Sequence, residues 1–226
     1  MTAEIGCPVR SVIDAVVFDC DGVLVDSEVL SLQIGQKVVA DLGWEADLPT
    51  LVETFMGCSH EYYIAQIEKN IGRALDDDWS VPYQPWYDKA FAEDLREIEG
   101  ISLALDSIEL PTAVASNSTH ERIRSSLATV GLLARFEGRI CSAEDVANGK
   151  PAPDVYLKAA ETLGVDPARC IAVEDSRFGV QAARAAGMTV FAYQTDMTPS
   201  GWFDRPDITV FRSMTDLPSL INDLSR

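Results

Sequence analysis

An apolar run over residues 13–18, with Val16 and Val17 at its centre, breaks off into Asp19-Cys20-Asp21-Gly22-Val23-Leu24-Val25-Asp26-Ser27. Such a run reads as a strand buried on both faces, the habit of parallel sheets covered by helices. Side chains alternate along a strand, so Asp19 and Asp21 leave its end on one side and Cys20 on the other. In open α/β sheets ligands bind beyond the carboxyl ends of the strands, which is where both carboxylates stand. Two anions so close repel unless a cation or a proton lies between them. The pair therefore implies a divalent metal, a protonated partner, or both.

The rest of the chain alternates strands and helices with one interruption. Ser27 is placed to N-cap a helix through Leu30, Ile34 and Val38 that stops near Gly43. From there to about Gly100 only helical spacing is found, over residues 51–55, 59–71 and 79–98. Trp44, Trp79 and Trp86 supply bulk for a small separate core. Beyond Gly100 strands are expected at 112–115, 171–174 and 189–192, and helices at 118–130, 154–163 and 176–186. Gly131, Gly164 and Gly187 sit at the C-cap positions. The fold class is α/β: a doubly wound, Rossmann-like parallel sheet formed by residues 1–28 and 100–226, with an α-helical cap domain inserted over residues 29–99. A chain of 226 residues, 47% of them hydrophobic, can bury one full core and a modest second one.

Charge and cysteine content exclude several classes. With 36 Asp and Glu against 18 Lys and Arg the net charge is −18, which leaves no basic footprint for a nucleic-acid backbone. Five cysteines (Cys7, Cys20, Cys58, Cys141, Cys170) are odd in number and lack C-x-x-C spacing, so neither a zinc site nor a disulfide framework is expected. The N-terminus lacks a charged stretch followed by an apolar one, and no segment reaches the ~20 apolar residues that span a bilayer. A cytoplasmic protein without membrane contact is expected.

Three further strand ends supply what the first lacks. The strand over 112–115 leads into Ser116-Asn117-Ser118, and Ser118-Thr119-His120-Glu121 has the pattern of a capping box. A hydroxyl and free backbone N–H groups at a helix N-terminus form an anion site. Gly149-Lys150-Pro151-Ala152-Pro153-Asp154 holds one lysine in a stiff turn before a helix, a clamp for phosphate. Glu174-Asp175-Ser176 puts another carboxylate pair at a strand end, able to complete a hard-cation site with Asp19. Magnesium suits such a site, because it keeps waters and a substrate phosphate among its ligands.

These four elements, in this order, resemble the motifs of the haloacid dehalogenase-like hydrolase superfamily, and the helical insert is similar to the small cap of its β-phosphoglucomutase and sugar-phosphate phosphatase branch. The resemblance implies that Asp19 attacks phosphorus to form an aspartyl-phosphate. It implies that Asp21 protonates the leaving oxygen and then activates water. It implies magnesium held by the Asp19 carboxylate, the Asp21 main-chain carbonyl and Asp175, with Glu174 a ligand or a partner behind the ligands. Ser116, Asn117 and Lys150 would bind the phosphoryl oxygens. Asp26 and Ser27 are assigned to the turn and the helix N-cap rather than to chemistry.

The turn Met56-Gly57-Cys58-Ser59-His60-Glu61 resembles the family's cap loop facing the active site. Phosphomutases of the group carry an arginine where this chain has His60, and a histidine lacks the bidentate fork that suits arginine to phosphate. Hydrolysis is therefore preferred over a β-phosphoglucomutase-like transfer. His60 and His120, the only two histidines, are candidates to line the cleft from opposite sides and contact a polyhydroxy or carboxylate-bearing substrate. A haloacid dehalogenase would not keep Asp21. A phosphonatase would need a cap lysine, and Lys37 and Lys69 lie in no such context. A receiver-type switch would carry its phosphoacceptor on a middle strand of a shorter chain. The expected protein is a magnesium-dependent phosphatase, a monomer or weak dimer, acting on a small phosphorylated sugar or sugar acid.

Overall fold

In the computed structural model, which describes residues 13–224, the apolar run forms β1 (Ala15–Phe18), with all four residues buried. Cys7 and the N-terminal residues considered above as a leader lie outside the described residues. After β1 come α1 (Glu28–Asp41), α2 (Leu48–Phe55), α3 (His60–Ile71), α4 (Gln84–Asp94) and α5 (Ile101–Ser107). The chain continues through β2 (Thr112–Ser116), α6 (His120–Thr129), β3 (Ile140–Ser142), α7 (Asp154–Leu163), β4 (Cys170–Glu174) and α8 (Arg177–Ala185). It closes with β5 (Thr189–Tyr193), β6 (Ile208–Phe211) and α9 (Leu217–Leu224). The six strands form one parallel sheet in the order β3-β2-β1-β4-β5-β6, so the winding reverses at β1, between β2 and β4. The expected doubly wound sheet is thus present.

Alternation along the strands divides the core in two. Val16 and Phe18 of β1, with Val114, Val173 and Phe191, face one side, where α5, α6 and α9 bury Ile101, Leu105, Ile123, Leu127, Leu217 and Ile221. Ala15 and Val17, with Ala113, Ala115, Ala172 and Ala192, face the other, covered by α7 and α8. Each fully buried Val, Leu, Ile or Phe contributes roughly 1.5–3 kcal/mol relative to exposure. The alanines on the second face let α7 and α8 approach closely, and Tyr156 of α7 is the largest fully buried side chain there.

The chain between β1 and β2 is helical, with Asp47 and Ser59 capping α2 and α3 through their side chains. Leu32, Val39, Leu51, Val52, Phe55 and Ile67 form a cluster of their own, against which Trp44 and Trp79 pack. Trp86 does not join it: it remains 42% exposed, with its ring edge on Tyr83. The single helix expected over 79–98 is broken in two. Pro82 and Pro85 confine the start to a 3₁₀ turn at Val81–Tyr83 followed by α4. Beyond Asp94 the chain turns extended, because Leu95 and Ile98 drop into the core and Glu97 bridges to Val25. Four short elements add to those expected: β3 and α5, of only three and seven residues, β6 on the sheet edge, and α9 after it. No helix of the described residues is long and apolar enough to cross a membrane.

Candidate active site

Strand register brings the acidic residues together. Phe18 pairs with Val173, and the Asp19 N–H donates to the Val173 carbonyl at 3.0 Å, so Asp19 emerges beside Glu174 at the winding reversal. The chain then folds back on itself: the Leu24 and Val25 N–H groups donate to the Cys20 carbonyl, and Gly22 takes φ +76°. A Cβ on Gly22 would lie 1.9 Å from Asp175 Oδ2, so only glycine fits this approach. Cys20 turns into the core while Asp19 and Asp21 line the cleft, as the alternation predicts.

Behind the cleft lies a buried network of ionisable groups. Lys150 Nζ contacts Asp19 Oδ1 at 2.8 Å and Glu174 Oε1 at 2.6 Å, with its charge 5.0 Å from the centre of the Tyr156 ring. Glu174 Oε1 also accepts from the Tyr156 hydroxyl at 2.6 Å. Its Oε2 accepts from the backbone N–H groups of Asp175 and Ser176 and from Ser176 Oγ. A carboxylate has about four lone-pair sites, so Glu174 is fully engaged by hydrogen bonds. Its geometry suits an orienting role behind the ligands, one of the two that the resemblance implied. Burial lowers the Lys150 pKa, but the Asp19 and Glu174 charges outweigh it and hold the ammonium above its ordinary range. Burial pushes Asp19 up to about 8 against the pull of Lys150, and raises Asp175 strongly, with Glu28 and Glu174 adding repulsion.

Asp19, Glu174 and Asp175 each present an oxygen within 4.8 Å of the others. Asp175 Oδ2 is buried and accepts no hydrogen bond from the described residues. An orphaned carboxylate oxygen in a group of hard donors fits a hard divalent cation. Asp21 stands outside this group. Its carboxylate accepts from Ser27 Oγ at 2.6 Å and from Ser118 Oγ at 2.8 Å, one hydroxyl on each oxygen.

Both serines depart from their expected roles. Ser27 precedes α1 but makes no side-chain cap, because its hydroxyl is spent on Asp21. Ser118 is not the N-cap of α6 either: Thr119 caps the helix through the Arg122 N–H, one residue later than the capping-box pattern suggests. Ser116 lies buried at the end of β2, its hydroxyl accepting from the Ser118 N–H. The Asn117 side chain clasps the lysine loop, accepting from the Lys150 N–H at 2.7 Å and donating to its carbonyl at 3.2 Å. The Lys150–Pro151 bond in that loop is cis.

The two histidines part company. His60 begins α3 and lines the cleft. His120 does not: its Nε2 rests 2.9 Å from both Asp145 oxygens on the flank of β3, so the expectation that both line the cleft is corrected. A histidine in a helical first turn is drawn to nearby carboxylates, and the one that claims His120 lies 25 residues away in sequence.

The cleft encloses about 950 Å³ between the strand ends and the helical insertion. From α1 come Glu28, Ser31 and Gly35, from α3 Tyr63, from α4 Tyr87, and from α6 Arg122. Burial, reinforced by Asp21 and Asp19, lifts the Glu28 carboxyl to about 8. The turn at Gly57 presses on the core: a Cβ there would fall 2.2 Å from Ser176 Oγ. Ser27 and Ser118 were expected only as helix caps, and Glu28 and Arg122 carried no expectation at all. The apolar spacing around Glu28 marks only a helix, and nothing local to Arg122 distinguishes it from a surface residue.

The haloacid dehalogenase-like hydrolase family profile matches residues 16–193. The 6-phosphogluconate phosphatase of Escherichia coli strain K12 is 31% identical over 210 residues, spanning 92% of this chain and 94% of its own. The fructose-1-phosphate phosphatase YqaB of the same organism is 30% identical over 186 residues, spanning 76% of this chain and 92% of its own. Among solved structures, a HAD family hydrolase from Deinococcus radiodurans R1 with bound phosphate and sodium superposes with a TM-score of 0.76 at 29% identity. That match covers 95% of this chain and 97% of the other.

Proposed function

The chain belongs to the haloacid dehalogenase-like hydrolase family, and as a phosphatase of that family we propose that it hydrolyses small phosphorylated metabolites, sugar or sugar-acid phosphates, through an aspartyl-phosphate. The observation that carries this reading is the division of labour between the two aspartates. Asp19 is fixed by Lys150 against the buried acidic group, whereas Asp21 is held by two hydroxyls and pairs with no cation among the described residues. Asp19 is thereby suited to attack phosphorus, and Asp21 to hand a proton to the departing alkoxide. In the second half-reaction Asp21 takes a proton from water as that water attacks the acyl phosphate.

Lys150 has three N–H donors, two of them committed to Asp19 and Glu174, and the third is free for a phosphoryl oxygen. Ser116 and the backbone N–H groups of the turn after β2 supply further donors. Asp19, Asp175 and the Asp21 main-chain carbonyl are the residues we assign to Mg²⁺, an assignment supported by the orphaned Asp175 Oδ2. The bound cation supplies neutralisation of charge on the phosphoryl oxygens. Residues 29–99 would act as a cap that excludes bulk water while Asp21 faces the leaving group.

The test is phosphate release from a panel of sugar and sugar-acid phosphates with Mg²⁺ and with EDTA, with β-glucose 1-phosphate followed by a coupled assay for glucose 6-phosphate. Release that EDTA abolishes and Mg²⁺ restores is expected. Isomerisation without net release would replace hydrolysis by mutase chemistry.

A further inference from the structure

Acids outnumber cations among the charged residues that line the cleft. Asp19, Asp21, Glu28, Glu61 and Glu144 all face it, and of its two long cations Lys150 is already bound to two carboxylates. Arg122 is different. Among the described residues it forms no ion pair. Its guanidinium is held instead by one hydrogen bond from Nη2 to Ser31 Oγ at 3.2 Å and by the Phe91 ring, whose centre lies 4.2 Å from Cζ. Neither contact neutralises the charge, and of five N–H donors only one is committed to a side chain. An aromatic face and a hydroxyl fix the plane of the fork and leave the remaining donors to the cavity.

The neighbours of Arg122 complete a polar subsite on the insertion side. The buried Tyr63 hydroxyl makes no well-formed hydrogen bond among the described residues and has the Tyr87 hydroxyl as its polar neighbour. Gly35, on the facing turn of α1, keeps the space before it open: a Cβ there would stand 3.7 Å from Tyr63 Oη and 3.9 Å from Tyr87 Oη. A guanidinium with free donors beside two phenolic hydroxyls suits a carboxylate carried on a hydroxylated chain. One guanidinium balances a single negative charge, so among the surrounding acids a carboxylate fits better than a second phosphate dianion.

We propose that Arg122 determines specificity by receiving the carboxylate of a phosphorylated sugar acid at the end of the substrate remote from Asp19, with the Tyr63 and Tyr87 hydroxyls beside its hydroxyl-bearing chain. This inference rests on the phosphatase reading above and narrows it to substrates with two anionic ends.

The experiment compares 6-phosphogluconate with the matching polyol phosphate, in which a hydroxymethyl group replaces the carboxylate, in wild type, Arg122→Met and Arg122→Lys. Wild type should prefer the acid at least tenfold in kcat/KM. Arg122→Met should lose at least ten times more on the acid than on the polyol phosphate, mostly in KM. Arg122→Lys, which keeps the charge and loses the fork, should fall between. Equal losses on both substrates would make Arg122 a strap between α6 and the insertion and overturn the inference. So would a wild type that hydrolyses p-nitrophenyl phosphate without preferring the acid, and in that case the phosphatase reading survives. No phosphate from any ester, p-nitrophenyl phosphate included, would overturn both.

Discussion

Gly179→Ala isolates the buried network, because general helix energetics and this structure predict opposite signs. Gly179 is the third residue of α8, where alanine would ordinarily gain about 0.8–1.0 kcal/mol over glycine. Here the added Cβ would lie 1.7 Å from Glu174 Oε1, 1.9 Å from its carboxyl carbon and 2.2 Å from Oε2. The carboxylate must retreat by roughly 1.5 Å to reach ordinary contact, which breaks at least two of its hydrogen bonds at about 1.5–3 kcal/mol each. The net loss is about 2–5 kcal/mol. For a chain of this size each kcal/mol lowers Tm by about 2–4 °C, so a fall of roughly 4–20 °C is expected in thermal unfolding followed by circular dichroism. Gly35→Ala is the control, since its Cβ meets nothing nearer than 3.7 Å and should stabilise by about 0.5–1 kcal/mol. A Gly179→Ala protein that melts at or above the wild-type temperature would refute the reasoning.

Asp19→Asn keeps the shape of the side chain and removes the nucleophile. Turnover should fall to background while the circular dichroism spectrum is retained, and substantial residual activity would remove Asp19 from the mechanism. Ser118→Ala deletes one of the two hydroxyls on Asp21 and should lower kcat about 10–100-fold, the equivalent of 1.5–3 kcal/mol. The loss should be smaller with p-nitrophenyl phosphate, whose leaving group needs little protonation, and an equal loss on both substrates would place Ser118 outside the proton-transfer step. His120→Ala should leave kcat/KM within about twofold and cost no more than about 1 kcal/mol in urea unfolding, because the residue pairs with Asp145 at the surface. A tenfold rise in KM would return His120 to the cleft.

What was legible in the sequence follows from how local the cause is. The β1 run, the carboxylates after it and the glycine that lets the chain turn back are all set by neighbouring residues, so both strand and site could be read directly. Pro82 and Pro85 were equally visible, yet the apolar spacing of 79–98 masked the break they cause. The roles of Ser27 and Ser118 were hidden because each has a sound local alternative as a helix cap. The preference for Asp21 arises from contacts 6 and 97 residues away. Arg122 and Tyr63 owe their interest wholly to tertiary neighbours. A helical pattern announces which face is buried, and says nothing of a polar group brought opposite it by another part of the chain.

The meeting of Gly57 with Ser176 sets a rule for anyone who would recut this enzyme. The helical insertion is the natural unit to exchange when a new specificity is sought. Yet residue 57 abuts the serine whose hydroxyl caps α8 and holds Glu174, the partner of Lys150 and so of Asp19. A transplanted insertion with any side chain at that turn would displace Ser176 and loosen the lysine beneath it. Exchanges that carry the glycine across can alter what the cleft admits and leave the chemistry intact.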